Sequence, residues 1–146
     1  MYKNICSFAF GFKIKCHMLY YLKKYPLTCL IVIVIFYLSF FKPPQTEMNE
    51  IPGIDKLVHI CMYGGLCFFL WIEYLRAHPK IHRKRLVIGG ILLPIFLSGA
   101  IELLQSYCTE HRGGDWIDFI ANTLGVLSAA LLGYYVLRPI IWKNKK

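Results

Sequence analysis

Hydrophobic and polar positions alternate along this chain in long blocks rather than residue by residue. Four apolar runs stand out, at residues 25–41, 57–75, 86–107 and 116–137, the first reading YPLTCLIVIVIFYLSFF between Lys24 and Lys42. Each is about 17 to 22 residues long, close to the ~20 that a helix needs to cross a ~30 Å hydrocarbon core. Such runs are too long for the strands of a membrane barrel. In lipid a backbone must satisfy its own hydrogen bonds, so the pattern predicts helices. The first run is the shortest and follows a basic stretch, as the core of a signal peptide would. It passes into FKPPQTE without a small-residue cleavage site and is expected to remain as a span. The predicted fold is all-α: a polytopic membrane protein with four transmembrane helices over residues 25–142, preceded by a basic segment, residues 1–24.

Charge orients this bundle. All but three of the 17 lysines and arginines fall into three groups: Lys3 to Lys24, Arg76 to Arg85, and Arg138 to Lys146. With four spans these groups share one side, which the positive-inside rule makes cytoplasmic, so the N- and C-termini are both expected there. Tyr20, Tyr21, Trp71, Tyr74, Tyr134, Tyr135 and Trp142 would form the aromatic belt at that interface, with Tyr107 and Trp116 at the outer one. Residues 1–24 leave two readings open, an amphipathic helix lying on the membrane surface or a cytoplasmic tail.

Composition adds little except by exclusion. The chain is 57% hydrophobic and carries a formal net charge of +9. The basic residues flank spans instead of forming one patch, so membrane lipids, not nucleic acid, are the expected surroundings. The six cysteines are scattered over the cytoplasmic side (Cys6, Cys16), the spans (Cys29, Cys61, Cys67) and the outer side (Cys108). With no CxxC or Cys/His ligand spacing, neither a disulfide framework nor a metal site is predicted. No phosphate-binding glycine loop or GxSxG elbow occurs, and no cofactor is expected.

The informative residues are those that break the apolar runs. Asp55, Lys56 and His59 stand at the outer start of the second run, and Glu102 and Gln105 near the outer end of the third. Arg112 and Asp115 lie in the loop that follows, and Asp118 and Asn122 in the first turns of the fourth run. All share one depth. Asp55, His59 and Tyr63 are spaced i, i+4, i+8, while Ser98, Glu102 and Gln105 form a second stripe. Asp115, Asp118 and Asn122 form a third, which continues through Gly125, Ala129 and Gly133. These small residues let another helix approach closely, so the polar groups point into the bundle, or into a partner copy if the chain forms oligomers through that face. Ionisable groups inside spans are costly and are functional candidates by default. The competing view is an ion-pair network that only locks helices together. Glu73, with Arg76 three residues on, is read as structural, and Glu73→Gln is expected to be nearly silent. Pro94 is expected to free the Gly90 carbonyl and kink the third span.

The order Asp55-Lys56-x-x-His59-x-x-x-Tyr63, Glu102-x-x-Gln105, Arg112, then Asp118-x-x-x-Asn122-x-x-Gly125 resembles the VanZ-like family over about residues 50–137. These are small bacterial integral membrane proteins named for an accessory protein of glycopeptide resistance. The resemblance implies a multi-pass protein of the bacterial cytoplasmic (inner) membrane and a link to teicoplanin-type resistance. The connection SYCTEH between Gln105 and Arg112 lacks the proline-containing turn of the family, and Ala129 replaces a common glycine.

The expected function is therefore an extracytoplasmic-side polar pocket that binds or acts on a cell-envelope component, lipid-linked or peptidoglycan-related. Its expected lining is Asp55, Lys56, His59, Tyr63, Glu102, Gln105, Arg112, Asp118 and Asn122. Lys56, Arg112 and His59 would hold an anionic group while Glu102 and Asp118 orient the cations or accept a proton. Two alternatives stay open. One is an intramembrane acid–base enzyme with Glu102 or Asp118 as base and His59 as acid or shuttle. The other is a proton-coupled transporter, which would need a dimer to enclose a path.

Overall fold

The computed structural model describes residues 18–41, 53–108 and 115–143, and among these every regular element is helical. The short α1 (Met18–Lys24) meets α2 (Pro26–Phe40) at an angle of 105°. Three long helices follow: α3 (Ile54–Ala77), α4 (Arg83–Tyr107) and α5 (Trp116–Lys143). These three are long and apolar enough to cross a membrane, and α1 with α2 makes a fourth if the bent pair counts as one span. The chain is an all-α multi-pass membrane protein.

Proline explains the bend. Pro26 lacks an amide hydrogen and sits at the first turn of α2, where none is needed, while Tyr25 before it takes a non-helical conformation. Of the basic N-terminal segment, residues 1–17 lie outside the described part. The remainder is α1, turned away from the axis of α2. Pro26–Phe40 has 15 residues, about 22 Å at 1.5 Å per residue. It nonetheless reaches both ends of the bundle. At one end the Glu73 carboxylate accepts hydrogen bonds from the amides of Leu27 (2.8 Å) and Thr28 (3.1 Å) and from the Thr28 hydroxyl (2.6 Å). At the other, Gln105 Nε2 donates to the Ser39 carbonyl at 2.7 Å. Glu73 is structural, as expected, but not inert: it supplies the cap that α2 lacks in its own sequence.

The closest packing is between α3 and α5. A Cβ on Gly125 would lie 2.4 Å from the Ile60 carbonyl oxygen, and one on Gly133 would enter the Trp71 ring at 2.3 Å. Gly125, Ala129 and Gly133 are buried, so the stripe that the sequence offers to a second helix is filled by α3 of the same chain. Outward, α2, α4 and α5 present large apolar side chains such as Ile33, Phe96, Leu103, Ile120 and Leu131, the surface that lipid covers. Cys29, Cys61 and Cys67 are free thiols.

Pro94 acts through a π turn. Residues Ile88–Leu92 adopt π geometry, with the Leu93 amide bonded to the Ile88 carbonyl five residues back. The Gly90 carbonyl, left without the Pro94 amide, accepts the Cys67 thiol at 3.0 Å. A second π turn, Gly133–Leu137, lies in α5 beside Trp71. At the basic end Lys24 Nζ lies 3.1 Å from His78 Nε2, and Trp142 Nε1 donates to the Leu75 carbonyl at 3.4 Å. The first and last described helices therefore both pack on the same end of α3, and the polar residues gather at the other end of the bundle.

Candidate functional site

The polar end is built from the start of α3, the outer part of α4 and the start of α5. Gly53 precedes α3 with φ of 83°, a left-handed conformation that costs a glycine little. The first turns of α3 then present Asp55, Lys56 and His59. Asp115 caps α5, its Oδ1 accepting the Ile117 amide at 2.9 Å. That amide, with the Lys56 ammonium, holds the Asp115 carboxyl below the usual carboxylate range.

Lys56 is the hub of the charged groups. Its Nζ lies 2.5 Å from Asp118 Oδ1, 3.1 Å from Asp115 Oδ2 and 3.4 Å from Asp55 Oδ2. The other oxygen of Asp118, Oδ2, is 3.5 Å from His59 Nε2, and Asp55 Oδ1 is 3.9 Å from the same nitrogen. The opposite ring nitrogen, Nδ1, is 3.0 Å from Asn122 Oδ1. Asn122 Nδ2 in turn donates to Ser98 Oγ (2.8 Å) and to Glu102 Oε1 (3.4 Å). Glu102 Oε2 accepts the Asp115 amide at 3.3 Å. One chain of contacts thus links α3, α4 and α5 at a single depth.

Burial is graded across it. His59, Ser98, Glu102, Asp118 and Asn122 are buried, whereas the side chains of Asp55 and Asp115 are 50% and 42% exposed and that of Lys56 34%. Asp55, Asp115 and Lys56 form a rim that solvent reaches, with Asp118, the imidazole and the amide behind it. Tyr63, one turn further along α3, is buried, and its hydroxyl lies toward Ser98 without a hydrogen-bond partner among the described residues.

Six of the residues singled out from the sequence, Asp55, Lys56, His59, Glu102, Asp118 and Asn122, therefore come together. Gln105 is buried at the same end but turns to the Ser39 carbonyl of α2, so it ties helices instead of lining the cluster. Arg112 lies outside the described residues. Lys56, expected to receive an anionic group, is already surrounded by three aspartates. Ser98 takes a larger part than its place on the α4 stripe suggested, because it orients the Asn122 amide. Glu73 reads as structural from the sequence, but its part in capping α2 at the far end does not show there. Its only sequence signal was a carboxylate in an apolar run 46 residues from its partner Leu27.

The arrangement puts an imidazole 3.5 and 3.9 Å from two carboxylates that the Lys56 ammonium also pairs, beside an accessible rim. Chemically that suits an anion or cation site, or acid–base work on a bound group.

No curated protein and no solved structure matches the chain. The sequence model of the family described as VanZ/LLP1 matches residues 20–138. The match begins within α1, some 30 residues before the polar motif that first suggested the relationship, and takes in every residue of the cluster. With most of its length so matched, the chain belongs to the VanZ/LLP1 family.

Proposed function

We propose that this protein sits in the bacterial cytoplasmic membrane with its polar end on the extracytoplasmic face. There it binds or acts on a lipid-linked or peptidoglycan-related component of the cell envelope, and through this contributes to glycopeptide resistance. The family membership supports the setting. The distribution of lysine and arginine supports the orientation, since the basic end would face the cytoplasm.

The observation that carries the reading is the half-open cluster itself. Lipid would favour apolar packing at this depth, yet three helices contribute eight buried or half-buried polar groups to one network. The buried Tyr63 hydroxyl beside Ser98, without a hydrogen-bond partner among the described residues, is a further group that a polar atom of a ligand would satisfy. The position of His59, between Asn122 and Asp118, favours a second reading in which the bound component is also turned over by acid–base chemistry.

The test is a lipoglycopeptide-susceptibility or complementation assay with immunoblots of the membrane fraction. His59→Ala and Glu102→Gln should abolish the phenotype while the protein still accumulates in the membrane. Full activity of both variants, or losses that only track protein level, would make the cluster structural glue. For the second reading, Glu102→Gln should reduce turnover with binding kept. A loss of binding alone would mean that the site only binds.

A further inference from the structure

The tautomer of His59 is set by residues that do not belong to the charged rim. A carboxylate only accepts hydrogen bonds, so the atom of the Asn122 amide that faces Glu102 Oε1 must be the NH2 group, which also donates to Ser98. The Asn122 carbonyl oxygen is then the atom 3.0 Å from His59 Nδ1. A carbonyl cannot donate, so Nδ1 carries the hydrogen. In the neutral ring the lone pair is consequently on Nε2, and it points at two carboxylate oxygens, Asp118 Oδ2 at 3.5 Å and Asp55 Oδ1 at 3.9 Å. Three electron-rich atoms facing one another repel unless a positive charge, a second ring proton or a bound cation, lies among them.

We propose that Asp55, His59 and Asp118 form a binding site for a divalent metal ion of the Zn2+ or Mn2+ type. The inference concerns the same site as the proposed function but does not depend on which envelope component the site serves. Three features support it. The three ligand atoms lie within 4.8 Å of one another, and bonds of about 2.0–2.2 Å to one ion place neighbouring ligand atoms roughly 3.4 Å apart, so small side-chain adjustments suffice. Metal-bound histidines regularly donate their other ring N–H to an oxygen that fixes the tautomer, and Asn122, oriented in turn by Ser98 and Glu102, supplies that oxygen. The charges also match. Three aspartates surround Lys56, whose ammonium offsets one negative charge, and a divalent ion among Asp55, His59 and Asp118 offsets two more.

The donor set decides the kind of ion. One imidazole nitrogen and two carboxylate oxygens suit Zn2+ or Mn2+, while Mg2+ and Ca2+ prefer all-oxygen surroundings. Lys56 does not compete for the seat, because it takes Oδ1 of Asp118 and leaves Oδ2 toward His59. The half-exposed side of Asp55 leaves further coordination positions open to water or to an anionic group of a ligand.

The experiment uses the full chain in detergent, purified without a histidine tag, stripped with chelator and titrated with ZnCl2 or MnCl2 in a calorimeter. Metal content is measured after desalting. Wild type should retain one of the two ions stoichiometrically. His59→Ala and Asp118→Asn should lose it, and Asn122→Ala should bind about 10–100-fold more weakly. Asp55→Asn, at a half-exposed position in the first turn of α3, should keep the fold and weaken binding at least tenfold, which guards against a variant that merely misfolds. His82→Ala, in the basic connection before α4, should bind like wild type. Absence of saturable binding by wild type, or binding that survives His59→Ala and Asp118→Asn, overturns the proposal. Metal binding is read on purified protein, so a chain that binds the ion yet confers no phenotype would sink the envelope reading and leave this one standing.

Discussion

At the scale of single residues, the structure separates polar side chains that look alike in sequence. Glu73 and Glu102 are both carboxylates inside apolar runs, and both are buried. Glu102 sits in the cluster, while Glu73 receives two amides and a hydroxyl of α2. Glu73→Ala leaves those donors without their acceptor and should cost about 1–3 kcal/mol, read as lower thermal stability in detergent. An unchanged melting temperature would mean that water replaces the cap. The Lys56–Asp118 pair yields to a double-mutant cycle. Lys56→Met and Asp118→Asn should each destabilise by about 1–3 kcal/mol, and the double variant by clearly less than their sum. Additive losses would mean that the two groups do not interact. The sequence pointed to Asp55, His59, Glu102, Asp118 and Asn122 because helical periodicity put them on inward stripes at one depth. It could not tell that Gln105, on the same stripe as Glu102, turns to Ser39, since a carbonyl on another helix leaves no trace in local spacing.

At the scale of elements, the junction of α3 and α5 is fixed by backbone contact. The Cβ of Gly125→Ala would press on the Ile60 carbonyl oxygen at 2.4 Å and the Gly64 amide nitrogen at 2.9 Å, neither of which can rotate away. The two helices must separate, at a cost of about 1–3 kcal/mol, and the Lys56–Asp118 and His59–Asn122 contacts should loosen with them. Gly65→Ala, whose added carbon meets nothing within 4 Å, is the matched control. Melting curves of the two variants that coincide would show the junction to be more pliant than described. The apolar runs and Pro94 announced three of the helices almost to their ends. The π turn was not foreseen, because it arises from Pro94 together with the Cys67 thiol on a neighbouring helix. The elbow at Tyr25 was half visible: Pro26 marks where a helix starts, but nothing local gives the 105° turn.

At the scale of the whole molecule, the basic and polar ends are segregated, and α2 spans the distance between them by its contacts with Glu73 and Gln105. If the basic end faces the cytoplasm, a cysteine-free variant carrying Thr46→Cys should react with an impermeant maleimide on intact cells, and one carrying Lys80→Cys should not. Labelling at both positions would overturn the four-span topology.

The cap on α2 has a consequence for how the protein is made. Thr28 waits for a carboxylate that lies 45 residues later in the chain, so during synthesis α2 leaves the ribosome well before the group that completes its first turn. It enters the bilayer as a provisional helix and locks only after α3 has followed. A chain ended at residue 70 should therefore leave Cys29, next to the unfinished turn, more open to thiol reagents than a chain ended at residue 82. Assembly of this bundle thus runs backward at α2, with a later segment closing an earlier one.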